Sequence, residues 1–182
     1  NLNSGTTAGA TTFWRGDATW VTPTAGGITE VDQWYVTSAF TETGEDVVTS
    51  NWSRFTPALG FNKIGTGMSE SSGIFTFPST GLWNITWSVF AYHDANATYV
   101  GGHIYTTEDD FSANILAAQT YTNTLGGSLS HIGVYVSTIF DCEATATHKV
   151  KFLTEAQAST QFLASSTSGR LVATFIRLGD TP

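Results

Sequence analysis

The sequence predicts an all-β protein with the architecture of a β-sandwich or jelly roll. Apolar residues recur at every second position in about eight to ten short stretches, which glycine- and threonine-rich turns separate. Charged residues make up only 12% of the chain, whereas its 18 glycines, 12 phenylalanines and 6 tryptophans are typical of strand-forming domains. The periodicity and the composition together leave little material for helices.

The stretch from Gly73 to Tyr92 organises the rest of the predicted fold. Pro78 and Gly81 mark a short loop, and the residues after it alternate between apolar and polar. A period of two gives a strand with one dry face, and each buried tryptophan removes about 150–250 Å² of surface from water. We therefore expect this strand at the centre of a two-layer core, with these side chains inside: Trp83, Ile85, Trp87, Val89 and Ala91.

The chain divides into an extended N-terminal arm, residues 1–27, and a jelly-roll head domain, residues 28–182. The arm is rich in glycine, threonine and alanine and cannot form its own core. It nevertheless carries Phe13, Trp14 and Trp20, so we expect it to pack against the arms of neighbouring chains. Its segment FWRGDATWVTP resembles the segment that leads into the terminal head of phage tail-fibre and virion-fibre proteins.

The first half of the head is predicted to hold two strands before the central one. They cover residues 28–40 and 47–55, with a loop at 41–46 and mostly irregular structure at 56–72. Three apolar residues of the irregular segment are expected to point inward: Leu59, Phe61 and Ile64.

The second half of the head repeats the alternating pattern. In the strand at 98–107, Gly101 and Gly102 indicate a bulge or a close backbone approach. Residues 111–123 fit a helical turn or a strand, and the strand is favoured because its neighbours are β. The last strand is apolar on both faces, so it needs a second apolar partner beyond the core. The remaining predicted strands cover residues 130–144, 148–156 and 169–180.

Charge and cysteine content disfavour several classes of protein. A net charge of −8, with only 7 lysines and arginines, argues against binding to nucleic acid or to an anionic membrane. Partners are expected to be neutral or cationic, or to be recognised by shape. No apolar run reaches the roughly 18 residues of a membrane span. Cys142 is the only cysteine, so stability must come from core packing or from subunit association rather than from an intrachain disulfide.

The spacing of glycine, proline and aromatic residues from Gly73 to Ile85 resembles that of the tumour necrosis factor-like jelly roll, the fold shared with the complement globular head. The segments ALGFNKIGTGMSESSG, IGVYVSTIFDCEATATHKVKF and GRLVATFIRL extend the resemblance over residues 58–179. The resemblance implies a homotrimer packed about a threefold axis. The interface residues that follow from it and from the strand alternation are His131, Tyr135, Val172, Ile176 and Leu178.

The sequence shows no catalytic set, and we expect no cofactor and no metal. No serine lies in a nucleophile elbow, and no pair of carboxylates can be placed across a cleft. The best calcium candidate is the acidic run at residues 108–110, for which a solvated turn is the favoured alternative. The four histidines lack the short ligand spacing of a zinc site, so structural or surface roles are favoured for His93, His103, His131 and His148.

Three predicted loops combine aromatic, amide and acidic side chains, which suit recognition better than chemistry. Such side chains stack on sugars and hydrogen-bond to their hydroxyl groups. An equally weighted alternative is that the tyrosines belong to the core or to an interface. The candidate receptor-binding residues are His93, Asp94, Asn96, Glu108, Asp109, Asp110, Tyr121 and Asn123.

These observations lead to the hypothesis of a non-enzymatic virion protein. The chain would form the trimeric head of a phage tail fibre or spike, contact a glycan or protein receptor on the host surface, and join other virion proteins through residues 1–27. Two alternatives stay open: a capsid decoration protein that binds no receptor, and a carbohydrate-binding or carbohydrate-active domain. The expected location is the virion, at a tail fibre or on the capsid surface.

Overall fold

The computed structural model describes residues 12–14, 16, 19–21, 27–93, 98–123 and 130–182. Within these ranges the chain forms thirteen strands and one short 3₁₀ helix, Pro57–Leu59. The strands are β1 (Phe13–Trp14), β2 (Trp20–Val21), β3 (Val31–Val36), β4 (Phe40–Val47), β5 (Trp52–Arg54), β6 (Ser69–Ser71), β7 (Ile74–Thr76), β8 (Gly81–His93), β9 (Tyr99–Thr107), β10 (Ile115–Asn123), β11 (Ser130–Cys142), β12 (Lys149–Phe162) and β13 (Val172–Gly179).

Strands β3 to β13 form one antiparallel sheet that folds back on itself into a sandwich. The first layer has the order β5–β3–β13–β8–β11. In the second layer β10 pairs with β9, and β9 pairs with one edge of β12, whose other edge carries β7 and then β4. The last residues of β12, Thr160–Phe162, pair with the end of β8. The two layers are therefore joined at one corner, where the end of β12 in the second layer pairs with the end of β8 in the first.

The core between the layers is aromatic, as the alternation in β8 predicts. Trp83 and Trp87 are 1% and 0% exposed. The Trp87 ring lies 5.2 Å from that of Phe152, which packs edge-on against Phe75 at 5.5 Å. The Trp87 indole N–H donates to the carbonyl of Leu153 at 3.0 Å, so this buried ring keeps its polar atom paired.

The loop predicted at residues 41–46 is wrong, because these residues lie inside β4. Their backbone pairs with β12, with Glu45 opposite Glu155. Within the described sheet β4 pairs only with β12, so it is an edge strand and its sequence lacks an apolar period. The predicted strand at 28–40 is divided between β3 and β4, and the one at 47–55 shrinks to β5.

Other predictions from the second half of the head are confirmed. The ambiguous segment 111–123 becomes a strand from Ile115 onward. A Cβ atom on Gly102 would lie 2.9 Å from Val89 Cγ2, so the predicted close approach is that of β9 to β8. The irregular register is instead in β10, between Leu116 and Ala118. The inward orientation predicted for Ile64, in the segment before β6, is wrong, because Ile64 is 44% exposed and only its backbone bridges to Val31.

In the described part of the arm, β1 and β2 form a short antiparallel ladder that pairs Phe13 with Val21 and Trp14 with Trp20. Phe13 and Trp14 are 47% and 41% exposed. The packing of the arm against neighbouring chains and the boundary at residue 27 stay predictions. Across the described ranges, the chain contains no helix of the length and apolarity that a membrane crossing requires.

Candidate functional site

The outward face of the second layer carries tyrosines and carboxylates around one buried histidine. We call this group the His103 cluster: Glu45, Tyr99, His103, Tyr121 and Glu155. His103 Nδ1 lies 3.0 Å from Glu45 Oε1, and His103 Nε2 lies 3.1 Å from Glu155 Oε2. The imidazole is 2% exposed, whereas Glu155 and Glu45 are 17% and 38% exposed. The cluster thus places a carboxylate beside each nitrogen of an imidazole that water does not reach.

The strand register brings the members of the cluster together. Glu45 of β4 is opposite Glu155 of β12, Glu155 is opposite Gly101 of β9, and Gly101 is opposite Tyr121 of β10. Residues directly opposite one another project from the same face of a sheet. His103 follows Gly101 by two positions, so it shares this face. Four strands therefore deliver one row of polar side chains.

Gly101 gives the two rings of the cluster their space. A Cβ atom at this position would lie 2.6 Å from Tyr121 Cδ1 and 3.3 Å from His103 Nε2. In its absence the rings of Tyr121 and His103 meet edge-on, with centroids 5.4 Å apart and planes at 79°. The absence of a side chain at Gly101 thus makes room for the rings of the cluster, and its absence at Gly102 makes room for core side chains.

Two tyrosines hold the Glu155 carboxylate in place. The Tyr99 hydroxyl donates to Oε1 at 2.9 Å, and the Tyr121 hydroxyl donates to Oε2 at 2.7 Å. The hydrogen bond to Glu155 raises the pKa of Tyr99, and burial, together with the same carboxylate, raises the pKa of Tyr121. Both hydroxyls are therefore protonated donors at neutral pH, and Glu155 accepts at both of its oxygens.

A basic group lies beside the cluster at the start of β12. Lys151 Nζ donates to Asn114 Oδ1 at 2.7 Å and lies 4.4 Å from the centre of the Phe111 ring. Burial lowers the pKa of Lys151, and burial followed by a hydrogen bond to Glu45 raises the pKa of Tyr105 next to it. The outward face therefore changes from acidic to basic along β12.

The structure separates the predicted receptor-binding residues into two groups. Tyr121 and Asn123 lie opposite Gly101 and Tyr99, at the start of β9. Residues 108–110 follow the far end of β9, about 26 Å away at a strand rise of about 3.3 Å per residue. One small ligand cannot contact both groups. Asp94 and Asn96 lie outside the described residues, as does the side chain of His93.

The acidic run at residues 108–110 has protein partners for two of its three carboxylates. Asp109 Oδ1 accepts from Thr107 Oγ1 at 2.7 Å and from the Ala113 N–H at 3.0 Å. The bond from the Ala113 N–H and that from Thr107 lower the pKa of Asp109. Asp110 pairs with Lys149. These contacts shape a turn without requiring an ion.

The outward face of the first layer carries apolar and neutral polar side chains over most of its area. Tyr135 and Ile139 are 61% and 64% exposed, while alternate residues of β11 are buried, as the alternation predicts. His131 stacks on Phe90 with centroids 5.6 Å apart, and Leu178 lies beside a register shift with 54% exposure. We call this surface the uncharged face. Its positions are Val31, Gln33, Tyr35, Leu82, Asn84, Thr86, Ser88, Phe90, Tyr92, His131, Gly133, Tyr135, Ser137, Ile139, Val172, Thr174 and Ile176. Asp141, opposite Leu82, lies at the end of this face.

A groove of about 580 Å³ runs over the uncharged face between Tyr135, Val172 and Ile176. Of the described residues that line it, the one with a charged side chain is Arg170, in the loop before β13. The five predicted interface residues are thus placed as follows: Tyr135, Val172 and Ile176 line the groove or its rim, His131 lies further along β11, and Leu178 lies at the end of β13.

The sequence pattern does not predict the His103 cluster. Its members come from four strands, and His103 is 58 residues from Glu45 in the chain, so no local motif joins them. The Gly101–Gly102 pair before His103 was the available signal, since a glycine on a strand face leaves room for neighbouring rings. The favoured structural role fits His148, which is 8% exposed and contacts the Phe140 ring.

Comparison with known proteins gives a likeness in fold. No protein-family model matches the chain, and no curated protein matches its sequence. Eiger TNF from S. frugiperda matches with a TM-score of 0.64 at 9% identity, over 84% of this chain and 94% of that one. Murine APRIL at pH 8.5 matches with a TM-score of 0.59 at 11% identity, over 82% of this chain and 98% of that one. At such identities the likeness concerns the fold alone, and the chain has the tumour necrosis factor-like jelly-roll fold that its glycine, proline and aromatic spacing predicted.

Proposed function

We propose that this chain is the non-enzymatic head of a virion fibre, in which three copies associate through the uncharged face and present the opposite layer to a host surface. The single observation that carries the proposal is the composition of that face. It is broad, exposed along β11 and half-buried along β3, β8 and β13, and it includes the apolar side chains of Tyr135, Ile139, Val172 and Ile176. Exposed apolar patches of this kind are typical of interaction surfaces.

Identical chains can associate through the uncharged face because most of their charged side chains lie elsewhere. Each chain has a net charge of −8, so copies repel one another at long range. None of the positions that define the uncharged face is Asp, Glu, Lys or Arg, whereas Asp141, at the end of β11, and Arg170, in the loop before β13, lie at its margin. Burying the positions that define this face therefore desolvates no ionised side chain, provided that Asp141 and Arg170 stay at its margin, and burial of its apolar groups favours association by about 25 cal/mol per Å² of apolar surface.

The opposite layer suits recognition. It carries the His103 cluster, where tyrosine rings and carboxylates lie side by side, with Tyr121 44% exposed. Aromatic rings beside hydrogen-bonding carboxylates can bind sugars or cationic groups. This chemistry agrees with a neutral or cationic partner. Of the predicted receptor-binding residues, Tyr121 and Asn123, at the end of β10, lie next to the start of β9.

The oligomeric state tests the first half of the proposal. Sedimentation velocity of the full chain should give a trimer, and Ile139→Asp should shift it to monomer because the new carboxylate would be buried between copies. Ile115→Asp is the matched control, since Ile115 is exposed to 45% on β10 and lies outside the uncharged face. A monomeric wild-type protein, or equal effects of both substitutions, would count against the trimer.

The location of the protein on virions and its binding to host cells test the second half of the proposal. Antibodies against the full chain should label a fibre tip on purified virions in electron micrographs. Added wild-type protein should compete with virions for adsorption to host cells, and its monomeric Ile139→Asp form should compete less because it has lost multivalency. Labelling spread over the capsid, with no competition, would favour the decoration alternative instead.

A further inference from the structure

The Nε2 atom of His103 has no hydrogen-bond partner among the described residues, although it is buried. Glu155 Oε2 is 3.1 Å away. This oxygen lies off the direction in which the ring nitrogen donates or accepts, so the pair is close without being hydrogen-bonded. An unpaired buried nitrogen beside a carboxylate is unfavourable unless something positive lies between them.

Glu45 decides which nitrogen of the ring carries the proton. Its Oε1 lies 3.0 Å from Nδ1 in hydrogen-bonding geometry. An ionised carboxylate only accepts, so Nδ1 must be the donor. In the neutral imidazole, Nε2 then presents a lone pair, and this lone pair and Glu155 Oε2 are two acceptors 3.1 Å apart. The geometry therefore calls for a cation near both atoms.

We propose that His103 Nε2 and Glu155 Oε2 together bind a divalent transition-metal ion of the Zn²⁺ type. Such an ion lies about 2.1 Å from both nitrogen and oxygen ligands. Because the two atoms are only 3.1 Å apart, an ion at that distance from each must lie to one side of the line that joins them. The ligand oxygen must then lie off the axis of the imidazole lone pair, as it does here.

The surrounding residues match the supporting groups of a metal site. A ligating histidine commonly donates its other N–H to a carboxylate, which fixes the ring orientation and strengthens the ligand. Glu45 has that role. Tyr99 and Tyr121 orient the ligating carboxylate through one hydrogen bond to each oxygen, which leaves one lone pair on Oε2 for the ion. Glu45, Tyr99 and Tyr121 are therefore positioning residues, and His103 and Glu155 are the ligands.

The donor set selects the class of ion. One imidazole nitrogen and one carboxylate oxygen suit zinc and its neighbours, whereas calcium and magnesium prefer sites made only of oxygen. Two protein ligands leave two positions of a tetrahedral ion for water or for a donor from a bound partner. The Tyr121 ring meets the imidazole edge-on and is 44% exposed, so this side of the site borders solvent. This inference does not depend on the proposed virion function.

The test is a titration of the ¹⁵N-labelled full chain with ZnCl₂ at pH 7.5, followed through the side-chain nitrogen signals of its four histidines. We expect a saturable shift of His103 Nε2 at one ion per chain, with His131 and His148 unchanged. Zn²⁺ should also raise the unfolding temperature, because an ion that binds only the folded state stabilises it. These two measurements need no variant.

Variants separate the ligand from the positioning residue. Glu155→Gln should abolish the saturable shift, and Glu45→Gln should weaken zinc binding about 10- to 100-fold. The matched control is Glu143→Gln, since Glu143 is exposed in the loop after β11 and should leave binding unchanged. Circular dichroism confirms that each variant is folded.

Any one of three results would refute the proposed metal site. One is the absence of a saturable His103 shift in wild-type protein up to about 1 mM Zn²⁺, the concentration at which binding corresponds to only about 4 kcal/mol. Another is a shift confined to His131 or His148, which would mean adventitious surface binding. The third is an Nε2 signal already protonated at pH 7.5 and unchanged by zinc, because a proton would then be the bridging cation.

Discussion

Replacing Asp32 by alanine should lower the free energy of unfolding by about 3 to 5 kcal/mol. Asp32 of β3 is 1% exposed. Its Oδ2 accepts from the Met68 N–H at 2.8 Å and from the Trp34 indole N–H at 2.9 Å, and its Oδ1 accepts from Arg54 Nε at 2.9 Å. One buried carboxylate therefore joins β3 to β5 and to the segment before β6.

The magnitude follows from what each donor loses. Met68 is 2% exposed, so its N–H would lack any partner, at about 1–3 kcal/mol. The Trp34 indole N–H would lose a bond worth about 1 kcal/mol. The Arg54 side chain is 29% exposed, so water replaces much of its lost partner and the added loss is only about 1 kcal/mol.

Urea unfolding at a fixed protein concentration measures this loss, provided that the dependence of the unfolding free energy on urea is the same for both proteins. Asp32→Asn is the informative control. Its amide oxygen can still accept from Met68 and Trp34, but its NH₂ group then faces Arg54 Nε, so we expect a loss of about 2 kcal/mol. A loss below about 1 kcal/mol for Asp32→Ala would refute the assignment of this carboxylate as a buried link.

Three further predictions concern single residues. Burial raises the pKa of Glu42 from 4.5 to about 7, so the folded state holds this proton more tightly than the unfolded chain, and stability should fall as the pH rises between these values. Glu42→Gln should flatten that part of the urea-derived stability profile. Burial also raises the pKa of the Cys142 thiol to about 11, so iodoacetamide at pH 8 should modify it only as fast as the protein unfolds, and modification of folded protein at the rate of a free thiol would contradict this. Gly73→Ala should destabilise by about 1–3 kcal/mol in thermal melts, since φ is +81° and a Cβ would lie 2.4 Å from the Val48 carbonyl oxygen, whereas Gly179→Ala, with nothing within 4 Å, should leave the melting temperature unchanged.

The sequence predicts the core strands well because a strand with one buried face has apolar and polar residues in alternation. Trp83 and Trp87 are inside, and Tyr135, Val172 and Ile176 face away from the core, as expected. The jelly-roll class follows from the same strands together with the glycine and proline spacing near Pro78. These features depend on short stretches of the sequence, so they can be predicted from a single sequence.

Elements defined by their partners could not be predicted in the same way. Residues 41–46 form a strand because β12 offers a free edge, and nothing in TETGED indicates that edge. The His103 cluster depends on the register of four strands, which local patterns do not fix. A histidine between two carboxylates is therefore visible only after the sheet has formed, and the sequence had favoured an ordinary structural role for it.

The position of β13 has a consequence for synthesis of the chain. This late strand lies between β3 and β8, two strands made much earlier, and it supplies Val172, Thr174 and Ile176 to the uncharged face. While a ribosome is still translating residues before 172, β3 and β8 lack their shared neighbour, and the surface through which copies would meet is incomplete. If copies associate through the uncharged face as proposed, nascent chains on one polysome would be unable to join through it until translation has passed this strand.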